Sequence, residues 1–409
     1  MDQFQDLAAN IAQLPVRARF GTVAAVRSGS VDVTGLGPRV RVGDLVAIGE
    51  TRLRGEVVAL DRATARVMTY GDCLGLGIGD PVRLDAAGGL YPHVRWQGRI
   101  IDGFGEAIDG APLPRGAEEC RLRADAPPPA QRRGLGPRLC TGVAAIDTML
   151  PLVRGQRIGI FAGSGVGKTS LLAQIAQSTG ADRIVFGLIG ERGRELRHFT
   201  ERALPPDTRA RSVIVTATSN ETALLKRRAA WTAMAVAEYF RDKGEHVLLF
   251  IDSLTRMAEA HREVALTAGE PASLRAFPPS TSGLIAAFSE RAGPGSGDQG
   301  DITAVFSILA AGSDMDEPVS DIARGVLDGH IVLEREIAER GRFPAIDVRR
   351  SVSRSLPGAA AEEENALIAR ARDLRGRHAR AETMLQAGLY VEGSDPALEQ
   401  AIRAWPELD

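Results

Sequence analysis

RIGIFAGSGVGKTSLLAQI, residues 157–175, begins as a strand, turns through glycines and continues as a helix. RIGIF is a short apolar run, and TSLLAQIAQST (169–179) carries apolar residues at helical spacing. Between them AGSGVGKT, residues 162–169, has the form of a phosphate loop, with Ala162 where the pattern begins with glycine. Gly163, Gly165 and Gly167 let the backbone curl so that successive N–H groups point at phosphate oxygens. Lys168 reaches the β/γ-phosphates, Thr169 offers a hydroxyl to magnesium, and the helix presents its positive end. The nucleotide-binding run is therefore Gly163, Ser164, Gly165, Val166, Gly167, Lys168, Thr169 and Ser170. A bare GKT is a weak signal; one set between a strand and an amphipathic helix is a strong one.

Downstream the alternation continues. RIVFGLIG (183–190), SVIVTAT (212–218), HVLLFID (246–252) and DITAVFSIL (301–309) read as buried strands. A long helix between them has Asn220 as its expected N-cap and Gly244 as its stop. This pattern predicts an α/β domain with a mostly parallel sheet covered by helices. Open sheets of this kind deliver ligands to the carboxyl ends of their strands. Asp252 ends VLLFI, which suits either the magnesium shell or the N-cap of the helix DSLTRMAEA. Glu191, in GERGRE (190–195), emerges at the same edge and suits a general base or water-positioning group. Arg192 beside it is placed to meet γ-phosphate charge. On spacing alone, the cluster also fits solvated charges opening a helix.

Upstream the pattern is different. Residues 16–85 hold short strands with glycine at the turns (FGTVAAV, GSVDVTGL, VRVGDLVAI, GEVVALD, ATARVMTY), closed by GIGDPVRL. Their spacing suits a small barrel or sandwich. RADAPPPAQRRGLGPRL (123–139) reads as an irregular linker. After about residue 346 the chain turns polar and helical, with no strand signal. In the first fifteen residues Phe4, Leu7, Ala8, Ile11 and Leu14 recur at helical spacing, an amphipathic helix that either folds back or docks a partner. The expected organisation is an amphipathic segment (1–15), a β-barrel domain (16–85), a phosphate-loop domain (86–345) and a C-terminal helical domain (346–409).

Bulk properties exclude several classes. The 409 residues carry a net charge of −2, so nothing global recruits nucleic acid. Cys73, Cys120 and Cys140 are scattered, which argues against a disulfide frame or a zinc site and fits a cytoplasmic setting. No apolar run approaches the roughly 18 residues of a membrane helix.

Longer strings add a resemblance. TGVAAIDTMLPLVRGQRIGIFAGSGVGKTSLL, GERGRE, VLLFIDSLTRMAEAHRE and LDGHIVLEREIAERGRFPAIDVRRSVSR are similar to the catalytic core of the rotary ATP synthase headpiece and its relatives. GSDMDEPVSDIARGVLDGHIVLER, GEPASLRAFPPS, SERAG and GLYVEGSDPALEQAI resemble the flagellar and type III secretion export ATPases within that superfamily. The resemblance implies a RecA-like central domain, ATP with Mg2+, and hydrolysis coupled to protein export.

It also implies roles. Glu191 matches the catalytic glutamate, Lys168 and Thr169 the phosphate-loop pair, Asp252 the magnesium-shell aspartate, and Arg192 the γ-phosphate arginine. Phe343 matches an aromatic flanking adenine, with Tyr390 a candidate for the second. The family's homohexamers take an arginine from the neighbouring subunit, and PAIDVRRSVSR singles out Arg354 for that part over Arg349 and Arg350. The implied partners are further copies of the chain, a stator-like regulatory protein at the N-terminal segment, export substrates and chaperones, and a membrane export gate. The implied location is cytoplasmic, peripheral to the inner-membrane export apparatus. Two alternatives compete. A rotary ATP synthase subunit is disfavoured by the GSDP tail and, for non-catalytic subunits, by the presence of Glu191. A hexameric RNA translocase would need an aromatic-rich nucleic-acid face, and residues 16–85 hold only Phe20 and Tyr70.

Overall fold

In the computed structural model, which describes residues 20–85, 89–163, 165–273, 276–310 and 315–408, the short strands of the first region close on themselves. The amphipathic segment expected at 1–15 and Ser164 of the phosphate loop lie outside the described residues. Strands β1 (Phe20–Arg27), β2 (Ser30–Thr34), β3 (Leu45–Ile48), β4 (Leu53–Leu60), β5 (Thr64–Thr69) and β6 (Pro81–Asp85) form a closed barrel in the order β1-β2-β5-β4-β3-β6. Of the two architectures its spacing allowed, the barrel is the one adopted. Val23, Val31, Val33, Val46, Ile48, Val57, Val67 and Val82 point inward and are sealed from solvent. Closure removes the unpaired edges that a small sheet would otherwise expose. The barrel belongs to a compact unit that also contains residues 220–227 and 259–281. Within that unit Glu56 is buried but matched: Tyr70 Oη donates to it at 2.6 Å and Arg227 Nη2 lies 3.2 Å away. A buried carboxylate without such partners would shed its charge or unfold its surroundings.

The second unit comprises residues 90–219, 228–258 and 282–408 of the described chain. Its strands are β7 (Ile100–Ile101), β8 (Arg157–Ala162), β9 (Arg183–Glu191), β10 (Ser212–Thr218), β11 (Val247–Asp252), β12 (Gly293–Pro294), β13 (Asp301–Leu309), β14 (Gly329–Leu333) and β15 (Val352–Ser353). They form one sheet in the order β15-β14-β8-β13-β11-β9-β10-β7, with β12 pairing β13. From β14 across to β7 every neighbour is parallel; β15 and β12 pair antiparallel. Near-continuous burial along β9, β10, β11 and β13 is what a sheet covered on both faces requires.

The helices are α1 (Ala144–Met149), α2 (Lys168–Ser178), α3 (Gly193–His198), α4 (Pro206–Ala210), α5 (Ala223–Arg241), α6 (Leu254–Ala268), α7 (Ser280–Glu290), α8 (Pro318–Val326), α9 (Arg335–Glu339), α10 (Glu362–Gln386) and α11 (Pro396–Leu408). α10 and α11 pack around Ala381, Leu398 and Ala401, with the His378 and Trp405 rings stacked 3.8 Å apart.

Two local expectations change and two hold. The N-cap of α5 is Thr222, whose Oγ1 accepts from the Leu225 N–H at 3.3 Å, and not Asn220. Gly244 does end α5, at φ +86 with Gly244 N–H on the Arg241 carbonyl and Glu245 N–H on that of Phe240. A strand does follow residue 346: β15 falls inside SVSRS, held against β14, itself read from sequence only as part of a longer matching string. Residues 123–139 are irregular as expected, yet they are anchored, because Arg133 pairs with Asp301 of β13 at 2.6 Å.

Candidate active site

The site lies within the second unit, at the carboxyl edge of its parallel strands. β8 leads into the phosphate loop, β9 ends at Glu191 and β11 ends at Asp252, with β13 between β8 and β11. Gly165 and Gly167 take φ of +79 and +87, a region closed to most side chains, and Gly167 stands as the residue before α2. Leu171, Leu172, Ile175 and Ala176 on the buried face of α2 fix the helix. Val166 is buried, whereas Ser170 faces solvent.

Lys168 reaches back from the first turn of α2 over the sheet edge. Its Nζ pairs with Asp252 Oδ1 and lies 3.6 Å from Glu191 Oε1. The Asp252 carboxylate is buried, and Ser307 Oγ of β13 donates to its Oδ1 at 2.5 Å. The helix-capping alternative for Asp252 is taken by its neighbour: Ser253 Oγ accepts from the Arg256 N–H at 3.2 Å at the start of α6. Asp252 is left facing the lysine. Thr169 follows Lys168 in the first turn of α2.

Glu191 is the titratable centre of the site. Burial, then a hydrogen bond shared with Glu195, then the nearby charge of Asp252 push its carboxyl up to about 7, against the pull of Lys168. The same shared hydrogen bond holds Glu195 below its ordinary value. Arg192 projects into solvent, its Nη1 3.7 Å from Glu195 Oε1. Glu195 and Ser307 thus complete the site, and neither received a role from sequence. Ser307 is one of two hydroxyls, with Thr303, in an apolar strand, and Glu195 is a second acid in GERGRE.

The remaining residues divide. Phe343 is 61% exposed and lies on the phosphate loop, its ring 3.2 Å from where a Cβ on Gly167 would stand. Tyr390 instead packs with the small core of α10 and α11, and its hydroxyl donates to the Asp395 carbonyl at 3.4 Å. Arg354 is exposed between buried Ser353 and Ser355, both of which donate to the Pro151 carbonyl. Its Nη2 donates to the Arg324 carbonyl at 3.1 Å, and among the described residues it has no carboxylate partner. Arg349 and Arg350 differ: they pair with Asp347 at 3.4 Å and Glu334 at 2.7 Å.

Known proteins match this chain along nearly its whole length. The nucleotide-binding domain of the ATP synthase alpha/beta family matches residues 142–353, and that family's beta-barrel domain matches 16–84. The C-terminal domain described as T3SS EscN ATPase matches 360–409. The flagellum-specific ATP synthase of Caulobacter vibrioides is 42% identical, over 99% of this chain and 94% of its own. The type 3 secretion system ATPase of Xanthomonas euvesicatoria is 39% identical, over 96% and 89%. Among solved structures, the assembled ATPase EscN of the enteropathogenic E. coli type III secretion system superposes with a TM-score of 0.90 at 36% identity, covering 95% of this chain and 93% of that one. EscN in complex with its central stalk EscO gives 0.85, covering 94% and 93%.

Proposed function

The chain belongs to the ATP synthase alpha/beta family, on its flagellar and type III secretion ATPase branch, and from that premise we propose how it works. It hydrolyses ATP to ADP and phosphate, as a homohexamer with sites at subunit interfaces, and so energises protein export. The carrying observation is the convergence of Lys168, Asp252 and Glu191 at one sheet edge.

Each residue has one task. The N–H groups of the phosphate loop and the end of α2 cradle the phosphates, and Lys168 neutralises their charge. Thr169 and Asp252 are hard oxygen donors, and Ser307 orients the Asp252 carboxylate; this set fits Mg2+, which takes such ligands together with phosphate and water. Bound there, the ion supplies charge neutralisation at the phosphates. Glu191 orients the attacking water and receives its proton, a task suited to a carboxyl near 7. Arg192 meets γ-phosphate charge beside it. Phe343, exposed beside Gly167, stacks on adenine. Tyr390 remains a weaker second aromatic, since its contacts are with the C-terminal helices. Arg354, charged and turned outward, enters the neighbour's site and stabilises charge on the phosphoryl group in transfer, a contribution of about 10³–10⁵ in rate.

We further infer a central stalk partner of the kind EscN binds, a stator-like regulator at the N-terminal segment, export substrates with their chaperones, and a membrane export gate. No helix among the described residues is long and apolar enough to cross a membrane. Lys168→Ala tests the site: we expect ATP turnover to fall by about 10²–10³-fold or more. Turnover near the wild-type rate would remove the phosphate loop from the mechanism.

A further inference from the structure

His330 stands where two parts of the catalytic cycle meet. It lies on β14, between β8, which runs into the phosphate loop, and β15, which carries the chain to Arg354. Its Nε2 is 2.8 Å from the Arg350 carbonyl, and since a carbonyl only accepts, the ring donates. The other contact is with the phosphate-loop strand: the ring packs edge-to-face on Phe161 at 5.7 Å, two residues before Gly163. Burial, with Arg324, Arg354 and Arg350 nearby, holds the imidazole below its ordinary range, against the hydrogen bond to Arg350.

Arg354 is tied to the same stretch on its far side. Its N–H donates to the Asp328 carbonyl at 3.0 Å, and its Nη2 to that of Arg324. Gln156, just before β8, donates through Nε2 to the Asp328 carbonyl and to Ser353 Oγ at 3.0 and 3.1 Å. The strands approach so closely that a Cβ on Gly329 would stand 2.5 Å from the Val352 carbonyl, and its φ of +148 also favours glycine. Among the described residues, His330 is a side-chain donor at the start of the Arg354 segment that also touches the phosphate-loop strand.

We infer that His330 is a positioning residue: it fixes the segment 350–354 against the strand bearing its own subunit's phosphate loop, and so sets where Arg354 reaches in the neighbouring site. The inference rests on the reading of Arg354 as acting in trans. A misplacement of about 1 Å at a charge-stabilising group costs roughly 10²-fold in rate.

The experiment uses three variants of the full chain. His330→Leu keeps apolar volume for Phe161 and loses the donor; His330→Gln keeps a donor near Nε2. Should His330→Leu not assemble, His330→Asn, polar but too short to reach Arg350, replaces it. We expect His330→Leu homohexamers to lose about 10- to 10²-fold in kcat with unchanged nucleotide affinity, and His330→Gln to stay near wild type. Mixing His330→Leu with Glu191→Gln subunits should restore turnover, because the latter donate a correctly held Arg354. An unchanged kcat in His330→Leu, or a loss that mixing does not rescue, overturns the inference. Arg354→Ala mixed with Glu191→Gln is the control. If the control fails to rescue, the trans reading falls and this inference with it; if only His330→Leu fails, the inference falls alone.

Discussion

The phosphate-loop corner and the Arg354 segment treat charge in opposite ways. At the corner every charge is answered inside the chain: Lys168 lies between Asp252 and Glu191, and Ser307 holds Asp252. On the segment the serines are buried and bonded, while the arginine between them is exposed and, among the described residues, meets only carbonyls. Fixing a backbone so firmly to hold a long cationic side chain outward is hard to account for by the stability of one subunit, since an exposed charge contributes little. It is accounted for if the corner is a receiver and the segment a donor, with one complete site built from two chains.

That contrast can be broken from the receiving side first. Glu191→Gln should lower kcat by about 10²–10⁴-fold while leaving nucleotide affinity intact; lost affinity would mean that Glu191 serves binding rather than the attack of water. The same variant reports on stability. With a folded-state value raised to about 7, ionising Glu191 destabilises the fold progressively as pH rises from about 4.5 to about 7. The Tm of Glu191→Gln relative to wild type should therefore be higher at about pH 8 than at about pH 5. A flat or reversed difference would place the carboxyl near its ordinary value. Wild-type kcat/KM should climb with pH through the same region as the base ionises.

A smaller effect is expected at Ser307. Ser307→Ala leaves a buried carboxylate short of a donor, which should cost about 1–3 kcal/mol of stability. It should also raise the Mg2+ concentration for half-maximal activity about 10-fold or more. If neither changes, Asp252 is oriented by Lys168 alone.

Legibility in the sequence followed how local each signal was. The barrel strands showed as valine-rich segments between glycine turns, and the central sheet strands as apolar runs of five residues or more. β7, β12, β14 and β15 did not show: β7, β12 and β15 are two residues each, GHIVL is short, and VS is a strand only where β14 meets it. Thr222 and Asn220 are both good caps, and only the backbone decides between them. The phosphate loop, Asp252 and Glu191 were found because each ends a strand at one edge. Ser307 and His330 were not, since their significance lies in partners 55 and 20 residues away. Arg354 came only from its resemblance, since nothing in its immediate sequence separates it from Arg349 and Arg350; their ion pairs within the chain now do.

The division of one site between two chains is tested most directly by mixing Arg354→Ala with Glu191→Gln subunits and measuring ATP turnover in verified mixed hexamers. Each parent hexamer should be nearly inactive, and the mixture should turn over ATP well above both, because some interfaces combine an intact Glu191 with a neighbour's intact Arg354. Mixed hexamers no more active than the two parents would contradict the account.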